Sequence, residues 1–321
     1  MGHYLKTDKD YWAGREDSKL KERFWQLVQN ADLHNLDNIK IDNQKSNIAL
    51  IGFACDLGVL KNKGRLGAFD GSNSLRKNLI NLAFDKSINI YDFGNIICDS
   101  KKDELDDSQC LLGDAVFTLL DKGFFPVVLG GGHETAYGHY LGIKNTKYSK
   151  NIGIINFDAH FDLRELLPNN QGSSGTPFRQ IYLDRKKNNL DFNYLCVGIQ
   201  ENANTKSLFD YANETKTEYI LAEEVFTNNL NDIKSKINKF IEKVDYIYIT
   251  ICLDVFSQSV APGVSAPQAF GLMPNQVKSL LKIIKSSKKL ITADIVELNP
   301  KYDIDNMTAK LGASLVLDLI K

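Results

Sequence analysis

Several features are missing from this sequence of 321 residues, and each absence narrows what the chain can be. No run approaches the roughly 18 apolar residues that a membrane-spanning helix requires, so no membrane role is expected. The opening, MGHYLKTDKDYW, lacks the apolar centre of a secretory signal, which makes a cytoplasmic protein the expectation. The five cysteines (Cys55, Cys98, Cys110, Cys196 and Cys252) show no CxxC spacing. An odd, scattered set in a long chain argues against a disulfide framework and for reduced thiols. A dominant charge is missing as well: 39 Lys and Arg stand against 40 Asp and Glu. Nothing in that balance recommends nucleic acid or an anionic membrane surface, so a small molecule is the expected partner.

What is present is an ordinary supply of core material, with 43% hydrophobic residues. Apolar runs at 47–54, 124–129, 152–157, 194–199, 246–253 and 290–296 read as buried strands. Helical stripes lie between them: Leu112, Ala115, Val116, Leu119 and Leu120 within 108–122, and Val277, Leu280, Leu281 and Ile284 within 275–284. Residues 230–243 and 308–320 also read as helices. The alternation predicts an α/β fold with a mostly parallel sheet covered on both faces. With no repeat, low-complexity tract or long linker, residues 1–321 are expected to form one such domain, carrying an N-terminal extension over about 1–45.

The unusual residues gather just after these runs, where open α/β sheets place their ligand sites. FFPVVL is followed by Gly130-Gly131-Gly132-His133-Glu134, and IGIINF by Asp158, His160 and Asp162. Thr250-Ile251-Cys252-Leu253-Asp254 closes another run, and Val296-Glu297-Leu298-Asn299-Pro300 another. The alternate spacing of Asp158, His160 and Asp162 puts all three on one face wherever the strand conformation persists. Carboxylates and imidazoles suit divalent metals, and carboxylates can bridge two ions. Two ions about 3.5–4 Å apart activate water at neutral pH and stabilise the charge its attack creates, which is hydrolytic chemistry. Taken singly, each of these residues is more often a cap or turn former; taken together, two carboxylates and an imidazole packed without a cation are electrostatically costly. The glycine-rich stretch 58–71, GVLKNKGRLGAFDG, matches neither a P-loop nor a dinucleotide turn and reads as a loop with positive φ. Its Lys61, Lys63 and Arg65 are either solvated or turned toward an anionic ligand.

The strings DYWAGRED, NKGRLGA, GGGHE, NFDAHFDLRE, SSGTPFRQ, VAPGVSAPQAFGL and DIVELNPKYDID, in this order, resemble the ureohydrolase family of arginase, agmatinase and formimidoylglutamase. They are most similar to the formimidoylglutamase subgroup. The resemblance implies a three-layer α/β/α, arginase-like domain, two Mn2+ ions and a homo-oligomer, trimeric or hexameric. It implies one ion on His133, Asp158 and Asp162 and the other on His160, Asp158 and Asp254, with Asp158 bridging. The implied reaction is hydrolysis of N-formimidoyl-L-glutamate to L-glutamate and formamide, a step of histidine degradation. Asp158 and Glu297 are its expected catalytic residues, Glu297 pairing with the cationic formimidoyl group.

A dicarboxylate substrate needs cations, and Arg164 and Arg179 are the candidates for clamping it, with Ser173, Ser174 and Gly175 as further donors. The proton-shuttle histidine of arginase falls near Phe178, so another acid or water must protonate the leaving amine. The sequence departs from the family at the centre of the site: where members carry S-x-D-x-D, it has T-I-C-L-D, so Cys252 replaces a bridging carboxylate. A neutral thiol there weakens Mn2+ binding, with the position shared by His160 and Asp254 expected to suffer; a thiolate ligand favours Zn2+ or Fe2+. Two other readings stay open: another ureohydrolase acting on a guanidino or amidino substrate, or a metal-poor pseudoenzyme.

Overall fold

Short β-rich apolar segments bounded by glycine and polar residues form ten strands in the computed structural model, which describes residues 2–321 apart from Lys9, Leu20, Asn43, Asp85, Lys86, Ser100, Lys101 and Asp103. In chain order the elements are β1 (His3–Leu5), β2 (Val28–Asn30), β3 (Asn47–Ala54), α1 (Leu57–Lys61), α2 (Gly71–Leu79), β4 (Asn89–Ile97), α3 (Leu105–Asp121), β5 (Phe125–Leu129), α4 (Thr135–Ile143) and β6 (Ile152–Phe157). They continue with α5 (Pro177–Lys187), β7 (Asn193–Ile199), α6 (Lys206–Glu214), β8 (Glu218–Leu221), α7 (Ala222–Thr227), α8 (Leu230–Glu242), β9 (Tyr246–Cys252), α9 (Pro274–Ser286), β10 (Leu290–Val296) and α10 (Met307–Ile320).

One sheet runs β1-β4-β3-β5-β10-β9-β6-β7-β8, with β2 also on β4. Every pairing is parallel except that of β1 with β4. The alternation of side chains along each strand makes two cores. On one face Ile48 and Leu50 of β3 join α2 and the helices α7 to α10; on the other Ala49, Ile51 and Phe53 join α3 to α6. This is the expected three-layer α/β/α arrangement, and its six apolar-run strands lie within a residue of the sequence expectation.

β4 escaped that reading because Asp92, Gly94 and Asn95 interrupt its apolar run. The polar positions are occupied by a buried network. Arg76 of α2, fully buried, meets Asp92 at 2.8 Å and Asn95 Oδ1 at 2.7 Å, while Trp12 Nε1 donates to Asp92 Oδ2 at 2.8 Å. The N-terminal segment is thereby tied to the sheet edge through β1, β2 and Trp12.

Candidate metal centre

The carboxyl ends of β5, β6, β9 and β10 lie side by side, and the chain leaving each of them carries one part of the site. After β5, Gly132 N–H donates to the Cys55 carbonyl at 2.9 Å, which folds the turn back over the end of β3. A Cβ on Gly131 would come within 1.8 Å of that same carbonyl oxygen, so only glycine lets the turn lie there. His133 is thus delivered just before α4. Its backbone N–H donates to Glu297 Oε1 at 2.8 Å, and its Nε2 lies 3.0 Å from Thr250 Oγ1. Phe178 meets the ring edge-on, so the residue in the arginase shuttle position is a buried brace for His133 rather than a proton carrier.

After β6 the strand does not continue as the alternate spacing suggested. Asp158 and His160 follow in irregular chain, and Asp162 sits at φ 48°, in the left-handed region. A turn does the converging instead: His160 N–H donates to Asp158 Oδ1 at 2.7 Å, and Asn156 Nδ2 to Asp158 Oδ2 at 3.0 Å. Glu297, after β10, is likewise held at φ 67°. For side chains other than glycine that conformation costs about 1 kcal/mol, and here it aims a carboxylate inward.

The resulting geometry is concentrated. His133 Nδ1 lies 2.9 Å from both Asp158 Oδ2 and Asp162 Oδ2, yet lines up as a hydrogen bond with neither. His160 Nδ1 lies 3.2 Å from Asp254 Oδ2 and 3.4 Å from Asp158 Oδ1. Ligand atoms of His133, Asp158 and Cys252, and separately of Asp158, His160 and Asp254, fall within 4.8 Å of one another. Asp158 is common to both groups. Cys252 thus groups with His133 and Asp158, whereas the weakening was expected at the position shared by His160 and Asp254.

Electrostatics favour a cation. Burial opposes charge on Asp158, but His133 and His160 beside it hold its pKa below the usual carboxylate range. Burial, then Asp158, raises both Asp162 and Asp254. Burial, then Glu134 and Asp254, lifts Glu297 well up. Asp254 Oδ1 and Glu297 Oε2 are buried with no hydrogen-bond partner among the described residues. Such orphaned acceptors are rare unless an ion or water completes them. The donor set fits a pair of divalent metals, unequally: burial and the carboxylates of Asp158, Asp254 and Glu297 push the Cys252 thiol well up, so by itself it is a neutral thiol and not a charged bridge.

The cluster opens into a cavity of about 320 Å3. His133, His160, Asp162, Cys252, Asp254 and Glu297 line it, with Arg164 and Ser174 above, while Asp158 lies fully buried behind. Gly175 and Arg179 are not brought to this cavity. Gly175 N–H is already given to Ser173 Oγ at 3.3 Å, and the residue acts as space: a Cβ there would come within 2.7 Å of Arg164 Cδ. Arg179 stacks on Tyr211 at 3.7 Å and lines an adjoining cavity of about 890 Å3, which Arg164 also borders. Sequence reasoning missed Thr250 and Asn156, which orient His133 and Asp158. Their signal was a polar residue inside an apolar run, and the two are register partners on β9 and β6.

Buried carboxylates and imidazoles gathered at the carboxyl edge of a parallel α/β/α sheet are the setting of a hydrolase with a candidate metal centre. The chain belongs to the arginase family, whose model matches residues 46–321. It is 44% identical over 321 residues to a formimidoylglutamase of Geobacillus sp. strain WCH70, covering 99% of this chain and 96% of the relative. The crystal structure of the formimidoylglutamase from Bacillus subtilis subsp. subtilis strain 168 superposes with a TM-score of 0.79 at 24% identity, covering 96% of this chain and 95% of that one. A Trypanosoma cruzi formiminoglutamase crystallised with Mn2+ gives 0.77 at 22% identity, over 91% and 98%.

Proposed function

We propose that the chain hydrolyses N-formimidoyl-L-glutamate to L-glutamate and formamide. The observation that carries the reading is the full-length likeness to the Geobacillus formimidoylglutamase, spanning 99% of this chain. The cavity supports it: an anionic floor suits a cationic amidine, and Arg164 above suits a carboxylate. Water adds to the formimidoyl carbon, the C–N bond to the glutamate nitrogen breaks, and that nitrogen takes a proton.

His133, Asp158, Asp162, His160 and Asp254 would hold two Mn2+ ions, the metal carried by the Trypanosoma protein, with Cys252 beside the His133 position. Bound there, such a pair acidifies water and neutralises developing negative charge. The protein's own part is positioning. Thr250 leaves His133 Nδ1 facing the carboxylates, and Asn156 fixes Asp158. Glu297 Oε2, buried with no hydrogen-bond partner among the described residues, accepts from the amidinium nitrogen. Ser174 Oγ, 3.2 Å from Asn62 Nδ2, and Arg164 orient the glutamate portion. A homo-oligomer, trimeric or hexameric, remains part of this proposal. The five free thiols agree with a cytoplasmic setting.

The test offers the Mn2+-loaded protein N-formimidoyl-L-glutamate, agmatine and L-arginine separately, reading formamide release from the first and urea release from the other two. Turnover confined to the first is expected. Turnover of a guanidino substrate instead would overturn the reading in favour of another ureohydrolase, and inactivity on all three would favour the pseudoenzyme.

A further inference from the structure

We propose that Lys63 is a specificity-determining residue, taking one carboxylate of a dicarboxylate ligand while Arg164 takes the other. The inference rests on the proposed hydrolysis and extends it to a residue outside the metal cluster.

Lys63 and Arg164 border both the 320 Å3 cavity above the metal cluster and the adjoining 890 Å3 cavity. Both are exposed. Among the described residues, neither side chain has an ion pair, hydrogen bond or ring contact. The other cations around these cavities are already engaged. Lys61 Nζ donates to Gln171 Oε1 at 3.2 Å. Arg65 donates to the carbonyls of Val264 and Ser265 and covers the Tyr302 ring at 4.2 Å. Arg179 is stacked on Tyr211.

The backbone fixes where the two free cations point from. Lys63 sits at φ 61°, just past α1, with its N–H given to Leu60 O at 2.9 Å. Arg164 N–H is given to Gly175 O at 2.9 Å. Below them the cavity floor is acidic, with Asp162, Asp254 and Glu297. Beyond them the larger cavity is lined by Glu165, Asp210 and Glu214, which repel an anion that strays outward. Carboxylates are thus favoured only along the boundary that Lys63 and Arg164 share. A lysine offers a mobile point charge and an arginine a planar fork, so the pair accommodates two carboxylates without competing for one.

The experiment is calorimetric titration of the Mn2+-loaded protein with L-glutamate, L-2-aminobutyrate and 4-aminobutyrate, the last two each lacking one carboxylate. Lys63→Met should weaken glutamate about tenfold, the size of an exposed charge-assisted contact, and less so at high salt. It should weaken one monocarboxylate and leave the other within about twofold, with Arg164→Met giving the opposite pattern and Lys63→Arg restoring affinity. Unchanged glutamate affinity in Lys63→Met, an equal loss for both monocarboxylates, or no glutamate binding by the unaltered protein would overturn the proposal. Because binding is read without turnover, the expected pattern in a protein that releases no formamide would keep the Lys63 assignment and remove the hydrolytic reading.

Discussion

Replacing Cys252 with aspartate sets the metal-free and metal-loaded proteins against each other. The thiol is 1% exposed, and Asp158, Asp254 and Glu297 already crowd it with negative charge. Without metal, a further carboxylate at this point is a buried charge beside Asp158, Asp254 and Glu297 with no metal ion to offset it, which costs about 3–5 kcal/mol. At about 2 °C per kcal/mol for a chain of this size, the chelator-stripped Cys252→Asp protein should melt about 6–10 °C below the unaltered one. With Mn2+ the sign reverses, because the added charge lies within ligand distance of His133 and Asp158. Each tenfold gain in affinity returns about 1.4 kcal/mol of stability at saturating metal. The assay is thermal unfolding of both proteins, stripped and titrated with Mn2+, with metal counted per chain. The variant should show the lower melting point stripped, the larger Mn2+ increment, and metal retained at lower free Mn2+. Equal increments and equal metal content would refute the view that the missing carboxylate limits this site.

Other perturbations separate chemistry from scaffold. Glu297→Gln keeps an acceptor for His133 N–H but removes the charge facing the amidine, so turnover should fall about 100-fold with metal content unchanged; steady-state kinetics with metal analysis checks this. Arg76→Leu strands Asp92 in the core and should cost about 3–5 kcal/mol in urea unfolding, with Trp12 losing its fixed environment. Burial raises the Glu134 carboxyl from 4.5 to about 7. A raised acid favours folding below its unfolded value and loses that contribution as pH climbs through the folded one. In stripped protein Glu134 alone should therefore account for a loss of about 3 kcal/mol between pH 4.5 and 7, the share of the pH dependence that Glu134→Gln should remove in unfolding curves at pH 5 and 8.

The strands that form the site's platform were legible because parallel strands covered on both faces must be apolar along their length. β3, β5, β6, β7, β9 and β10 meet that condition. β4 does not, because Asp92, Gly94 and Asn95 serve Arg76 across the fold, and no local pattern announces a partner on another element. β8 has only four residues, too few for a periodic signal. The metal-capable residues stood out as chemical types at strand ends, yet the alternation argument misjudged how they converge. The chain turns after Phe157, and Asp162 reaches His133 from a left-handed conformation. Arg164 and Arg179 looked equivalent as sequence, and only packing separates an unpaired guanidinium at the cavity from one stacked on Tyr211.

The central claim is that the buried cluster works as a two-metal hydrolytic centre despite Cys252. It is tested most directly by formamide release from N-formimidoyl-L-glutamate as Mn2+ is returned stepwise to the stripped protein under reducing conditions. The account predicts no release without metal and a rise that saturates at two bound ions per chain, the second binding more weakly than the first. Release by protein shown to contain no metal, or no release when both positions are filled, would contradict it.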